Sequence, residues 1–255
     1  MSVAMRWAPV LRRLAWLIER PIAHRGLHDR ARGIVENTAG AFAAAMHRGY
    51  AIECDLQLTA DGQAMVFHDA RLDRLTLASG RVIERTAAAL QEMALRGSAE
   101  RMQTLAELLA QVNGRVPLVI ELKSHWDGSL ELARRTAEIV SGYDGPLALM
   151  SFDPDIVAGL GELAPRVPRG LVADRRSEME MRLDLARRLE LRHVAHVGRT
   201  RPHFLSYGVD GLPYGPSRAF RRAGLPVICW TVRDAETASW SRRWADQITF
   251  EGFLP

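Results

Sequence analysis

The chain has 255 residues, 47% hydrophobic and 25% charged, which suits one domain with a sizeable core and excludes a disordered or fibrous chain. Its formal net charge of +4 comes from 34 basic and 30 acidic residues, and the arginines lie singly or in pairs, with no stripe of interleaved aromatics. That argues against nucleic-acid binding and for a small anionic partner, while two cysteines inside apolar runs, Cys54 and Cys229, exclude a disulfide framework and point to a cytoplasmic protein.

The first element is an amphipathic helix within residues 1–20. Val3, Trp7, Val10, Leu11, Leu14, Leu17 and Ile18 recur near helical spacing, and Arg12-Arg13 interrupt any run long enough for a signal peptide or a membrane span. The expectation is a helix that packs against the domain. The alternative is a membrane-surface helix, which would give residues 1–18 a peripheral contact at the inner membrane face.

From residue 21 to 255 short apolar runs alternate with helical patterns. The predicted strands are Pro21–His24, Ala51–Leu56, Pro117–Leu122, Pro146–Phe152, Arg169–Ala173, His193–Val197, Pro226–Val232 and Gln247–Phe250. The predicted helices between them are 38–48, 104–113, 129–141, 154–163, 177–190, 216–223 and 234–244. Such alternation implies parallel βαβ units, and eight of them in one domain imply an α/β fold of the (β/α)8 TIM-barrel type. A doubly wound open sheet is the runner-up, weakened by the lack of a glycine-rich dinucleotide fingerprint after the first strand. One run breaks the alternation. Gln63–His68 follows Asp61-Gly62, a two-residue hairpin turn, and reads as an arm within a small insertion over about residues 57–103, with a short helix near 86–95.

Polar residues interrupt these runs near strand ends, where barrel chemistry gathers. His24 ends the first strand and precedes Arg25-Gly26. Glu53 and Asp55 are two apart on the second, so both face one way, and Glu121 and Lys123 repeat that spacing on the third. If Asp61-Gly62 is a two-residue turn, position 55 pairs with 68 and His68 lands beside Asp55. Trp230 falls near the end of the seventh run. Three converging carboxylates need a cation, and an all-oxygen donor set favours Ca²⁺ or Mg²⁺. Two flanking imidazoles can accept and donate protons, and Arg25 and Lys123 suit a phosphate. Lys123 is the single lysine in a chain that otherwise uses arginine. Each residue also has a bland account: a satisfied strand-end histidine, a carboxylate paired with an arginine, or a lysine that bridges Glu121 or Asp55.

Ile22-Ala23-His24-Arg25-Gly26, Glu36-Asn37-Thr38, Glu53-Cys54-Asp55, Thr59-Ala60-Asp61-Gly62, Phe67-His68-Asp69, Leu72-Asp73-Arg74-Leu75-Thr76, Glu121-Leu122-Lys123, Ser151-Phe152 and Trp230-Thr231-Val232 follow in order. With them the chain resembles the glycerophosphodiester phosphodiesterase family from about residue 21 to its end. The resemblance implies a barrel enzyme that hydrolyses glycerophosphodiesters to glycerol 3-phosphate and an alcohol. It implies metal ligands at Glu53, Asp55 and Glu121, an acid/base pair at His24 and His68, phosphate contacts from Arg25 and Lys123, a supporting Glu36, and a pocket wall at Trp230. Asn37 or Thr38 also reads as a helix cap. Three features depart from the family pattern: Arg233 after Trp230-Thr231-Val232, Thr249-Phe250-Glu251 near the last strand, and a trimmed segment at Gly97–Gln103. With Phe250 and Trp230 in the pocket, a more apolar group than glycerol is expected. A lysophospholipase D or other phospholipid phosphodiesterase at a membrane surface is the alternative activity.

Overall fold

The computed structural model describes residues 14–175 and 183–255. Its strands in chain order are β1 (Ile22–Ala23), β2 (Ala51–Leu58), β3 (Ala64–Val66), β4 (Leu118–Leu122), β5 (Leu147–Ser151), β6 (Arg169–Ala173), β7 (Phe204–Gly208), β8 (Val227–Val232) and β9 (Gln247–Phe250). All but β3 are parallel, and β1 bonds to both β2 and β9, so the sheet closes into an eight-stranded TIM barrel with no free edge in the ring.

Closure buries the strands on both faces, which is why they read as near-continuous apolar runs. The inward face carries Ile22, Ala51, Val119, Ala148, Met150, Val172, Phe204 and Ile228. The outward face, with Ile52, Cys54, Leu56, Ile120 and Cys229, packs against the surrounding helices. The interior is filled by side chains: a Cβ on Gly170 would lie 2.3 Å from the Phe204 ring, so the ring occupies the space the glycine leaves. Cys54 and Cys229 are free and buried.

Capping residues set where the helices start. Thr38 accepts from Ala41 N–H before α2 (Ala39–His47). Asp153 caps α6 (Pro154–Leu163), whose first position is a proline. Thr104 and Glu107 form a reciprocal capping box on α4 (Leu105–Val112). Between β2 and α4 the insertion folds on a small core of its own, with Met65, Phe67, Leu72, Val82 and Leu90, the last from α3 (Ala87–Gln91).

The N-terminal helix is described from Leu14, as α1 (Ala15–Glu19); residues 1–13 lie outside the described residues. Leu14 and Leu17 are each 1% exposed and pack on the barrel's inward core with Ile22, Ala51 and Phe204. Gln247 Nε2 donates to Ile18 O and Arg20 Nη1 to Gly49 O, fixing α1 across the N-terminal ends of the strands. It is a floor plug. Leu14 and Leu17 therefore offer nothing to a membrane, and among the described residues no helix is long and apolar enough to cross one.

Two sequence expectations are corrected. His193–Val197 is not a strand. His193 N–H and Val194 N–H bond back to Leu189 O and Leu191 O at the end of α7 (Leu185–Arg192), and the chain continues into α8 (Val197–Thr200). Local helix-end hydrogen bonds outweigh the period-2 pattern there, and the strand is formed instead by Phe204–Gly208. Part of the helix expected over 177–190, residues 177–182, lies outside the described residues.

The hairpin is also shifted by one residue. Leu56 pairs with Val66, Gln57 with Met65 and Leu58 with Ala64, and Thr59 N–H bonds to Gln63 O. The turn is thus a three-residue loop, Ala60-Asp61-Gly62, with Gly62 at φ 71°, where a β-carbon would be strained. Asp61 is held inside the loop by Thr59 Oγ1 and Ala87 N–H, which favours the longer turn.

Leu17→Ala should destabilise the protein by about 2–5 kcal/mol in chemical denaturation, whereas Ile18→Ala, at a side chain 40% exposed, should change it by less than about 0.5 kcal/mol. A membrane-facing stripe would give the two substitutions similar, small effects on stability in water.

Candidate active site

Strand register gathers the site. Continuing the β1–β2 and β1–β9 ladders by one residue sets His24 between Glu53 on β2 and Glu251 just past β9. His24 N–H bonds to Phe250 O at 2.9 Å, which holds that alignment. On the next pair of strands Asp55 stands opposite Glu121, and Lys123 N–H bonds to Leu56 O. The residues expected at strand ends therefore do meet at one mouth, the C-terminal end of the barrel.

The turn after β1 explains the His24-Arg25-Gly26 run. Arg25 and Gly26 both have positive φ, 56° and 77°. A Cβ on Gly26 would come within 2.8 Å of Ala41, so only glycine lets the turn lie against α2. The sharp turn aims Arg25 N–H at Glu53 Oε2, 3.0 Å away, and swings the guanidinium back toward Glu36 Oε1 (2.6 Å) and Asp55 Oδ2 (3.6 Å).

Glu53, Asp55 and Glu121 are buried, and one ligand oxygen from each lies within 4.8 Å of the others. Burial and the like charges of Asp55 and Glu121 push the Glu53 carboxyl well above the usual carboxylate range. Burial also raises Asp55, but the charges of Lys123, His68 and Arg25 outweigh it and hold that carboxyl well below its ordinary value. Lys123 Nζ sits 2.8 Å from Asp55 Oδ1 and 2.6 Å from Glu121 Oε1. It bridges both carboxylates, and their charges keep it protonated despite its burial. The cluster thus has the donor chemistry of a hard divalent cation site: oxygen only, buried, and short of positive charge.

The two histidines are placed differently. His24 Nε2 is 3.9 Å from Glu53 Oε2, and burial lowers the imidazole's pKa. His68 arrives by a route the sequence did not give. With the hairpin shifted, Phe67 rather than His68 follows the ladder to Asp55, bonding to Asp55 O, and it enters the small core of the insertion. The chain leaves the ladder after Phe67, and His68 O accepts from Gln57 Nε2. His68 Nδ1 is 2.6 Å from Asp69 Oδ1. Arg74 clamps Asp69 and Glu36 together, with bonds of 2.6 and 3.0 Å to the first and two of 2.8 Å to the second. The arginines pull the Glu36 carboxyl down to about 2 against its burial.

Thr38 is the helix cap, and Asn37 belongs to the site. At φ 57° its amide donates to Asp55 Oδ2 at 2.9 Å and accepts from Asp55 N–H. Trp230 stands edge-on to Phe152, ring centroids 5.6 Å apart, at the upper edge of the inward core, and its buried Nε1–H has no hydrogen-bond partner among the described residues. Phe250 is not in the pocket: it is fully buried on the outward face against Tyr50 and Phe253. Sequence reasoning also treated Glu251 and Arg233 as unrelated departures. They form an ion pair of 2.8 Å, and Glu251 Oε2 lies 2.5 Å from His24 Nδ1. Their shared position one residue past adjacent strands was the signal available.

Comparison with known proteins agrees with this geometry. The sequence profile of the glycerophosphoryl diester phosphodiesterase family matches residues 24–247. A Bacillus subtilis protein provisionally named a glycerophosphodiester phosphodiesterase is 29% identical over 229 residues, 86% of this chain and 88% of the relative. Among solved structures, a glycerophosphodiester phosphodiesterase of Thermotoga maritima superposes with a TM-score of 0.70 at 26% identity, covering 91% of this chain and 94% of that one. A phosphodiesterase of Oleispira antarctica, solved with the product sn-glycerol-3-phosphate, superposes with a TM-score of 0.76 at 22% identity, covering 92% and 93%. With the profile running from His24 after β1 to Gln247 at the start of β9, the chain belongs to the glycerophosphoryl diester phosphodiesterase family.

Proposed function

We propose that the protein hydrolyses glycerophosphodiesters to glycerol 3-phosphate and an alcohol, using a divalent cation, Ca²⁺ or Mg²⁺, held by Glu53, Asp55 and Glu121, with His24 and His68 as the acid/base pair. One observation carries this: three buried carboxylates whose oxygens approach within 4.8 Å, with His24 Nε2 3.9 Å from Glu53 Oε2. The bound product named for the Oleispira antarctica structure supports the substrate class. Two free buried thiols suit a reducing, cytoplasmic compartment.

A bound cation would supply charge for the phosphate oxygens. The chain's own groups do the rest. Arg25 and Lys123 neutralise the phosphodiester, and Trp230 with Phe152 walls the adjoining group. His24, with Nε2 facing the Glu53 side, takes a proton from the glycerol hydroxyl next to the phosphoester, and that oxygen attacks phosphorus. His68 protonates the departing alcohol. Water then opens the cyclic phosphate with the two histidines exchanging roles. Asp55, Glu36 and Asp69 are each tied to a cation, so the mouth is organised before substrate arrives.

Purified protein given glycerophosphodiesters with Ca²⁺ or Mg²⁺ should release glycerol 3-phosphate. His24→Ala and His68→Ala should each lower kcat by about 10²–10⁴-fold while calorimetry still detects ion binding; wild-type turnover in either variant would remove it from the pair. Chelation with EDTA should abolish activity and either ion should restore it, so unchanged rates in chelator would refute the cation. Lys123→Arg should lose at least about tenfold in kcat although charge is kept, because a planar fork cannot take the place of a compact ammonium between Asp55 and Glu121.

A further inference from the structure

His24 has two ring nitrogens, and a base needs the correct one free. We propose that Glu251, anchored by Arg233, is a positioning residue that takes the Nδ1–H of His24 and so leaves Nε2 unprotonated toward the reacting centre. The inference rests on the acid/base reading of His24 given above.

Three observations support it. The first is contact: Glu251 Oε2 lies 2.5 Å from His24 Nδ1, and His24 Nε2 points the other way, 3.9 Å from Glu53 Oε2. An ionised carboxylate facing Nδ1 accepts a hydrogen bond and cannot donate one, which fixes the neutral ring as the Nδ1–H tautomer. The second is anchoring. Arg233 Nε and Nη2 hold Glu251 Oε1 at 2.9 and 2.8 Å, a two-point grip on the oxygen that His24 does not use. His28 Nε2, 3.7 Å from Oε2, is the other titratable group facing this carboxylate. Burial would raise the Glu251 carboxyl, but the bond from His24, the nearby His28 and the charges of His24 and Arg233 outweigh it and keep the group ionised.

The third is backbone register. β8 carries an extra residue between Cys229 and Val232, so Cys229 faces Ile248 while Val232 faces Phe250. Glu251 N–H bonds to Val232 O, and Arg233 becomes its neighbour. Without the bulge, Val232 would occupy that place. Bulges of this kind re-aim side chains beside active sites. The result is a row across four adjacent strand ends: Arg233, Glu251, His24, Glu53. The other histidine has the same construction, with His68 Nδ1 on Asp69 and Asp69 clamped by Arg74.

The test combines kinetics with the tautomer itself. In wild type at about pH 8, where an imidazole is neutral, long-range ¹H–¹⁵N NMR should show His24 protonated at Nδ1. Glu251→Gln should mix or reverse that state and lower kcat by about 10- to 1000-fold, within what a histidine acid/base supplies, with KM changed less than about twofold. Glu251→Asp should recover part of the loss, and Arg233→Met should shift in the same direction by less. A purely structural ion pair would instead lower Tm and leave kcat and the tautomer as they were. Wild-type His24 protonated at Nε2 would overturn the inference without any variant. So would full kcat in Glu251→Gln when His24→Ala is inactive. Full activity in His24→Ala would remove the acid/base reading, and the inference with it.

Discussion

Three carboxylates share one dry corner of the barrel, and most of the mouth is organised around that cost. At separations near 4.8 Å, two like charges repel by about 3–4 kcal/mol at an effective dielectric of 20. Burial adds a desolvation penalty for each. Lys123 and Arg25 offset part of this, Asn37 donates one hydrogen bond to the Asp55 carboxylate, and the Glu53 carboxyl remains displaced upward. A protein does not maintain such an arrangement for stability, because apolar side chains would fill the corner at lower cost. A cation among the three oxygens would relieve that frustration.

The barrel solves the placement problem with register rather than with loops. Successive strands are hydrogen-bonded side by side, so functional groups at equivalent heights become neighbours whatever their distance in sequence. His24 and Glu251 are 227 residues apart and adjacent in space. The irregular pieces act as corrections to that lattice: two left-handed residues turn Arg25 back over the carboxylates, and one extra residue in β8 changes which side chain meets Glu251. The floor is closed by Leu14 and Leu17 and the interior is filled, so chemistry is confined to one end.

What could be read from the sequence follows from the same physics. Parallel strands buried on both faces announce themselves as apolar runs, and seven of the eight ring strands were placed from those runs. The exception, Phe204–Gly208, carries Ser206, Tyr207 and Gly208 and looks less apolar than His193–Val197, whose alternation is cancelled by hydrogen bonds at a helix end. The Glu53, Asp55 and Glu121 cluster was readable because period 2 fixes which residues share a face. His68 was expected beside Asp55 through a hairpin register that the structure shifts by one, so Phe67 meets Asp55 instead and His68 lies past the end of the ladder. Asn37, Glu251 and Arg233 could not be recognised by type alone: their roles depend on a positive φ, a strand pairing and a bulge, and only the shared place of Glu251 and Arg233 one residue past their runs pointed to them.

Lys123 has one further consequence. It is the only side-chain primary amine in the chain, and it sits partly buried between two carboxylates that hold its proton. Acylating reagents attack only the neutral amine, so the ε-nitrogen should be shielded while Asp55 and Glu121 engage it and should become reactive once those partners are drawn elsewhere. Protein chemistry directed at a single atom can therefore report occupancy of this corner, with no second lysine side chain to confuse the signal.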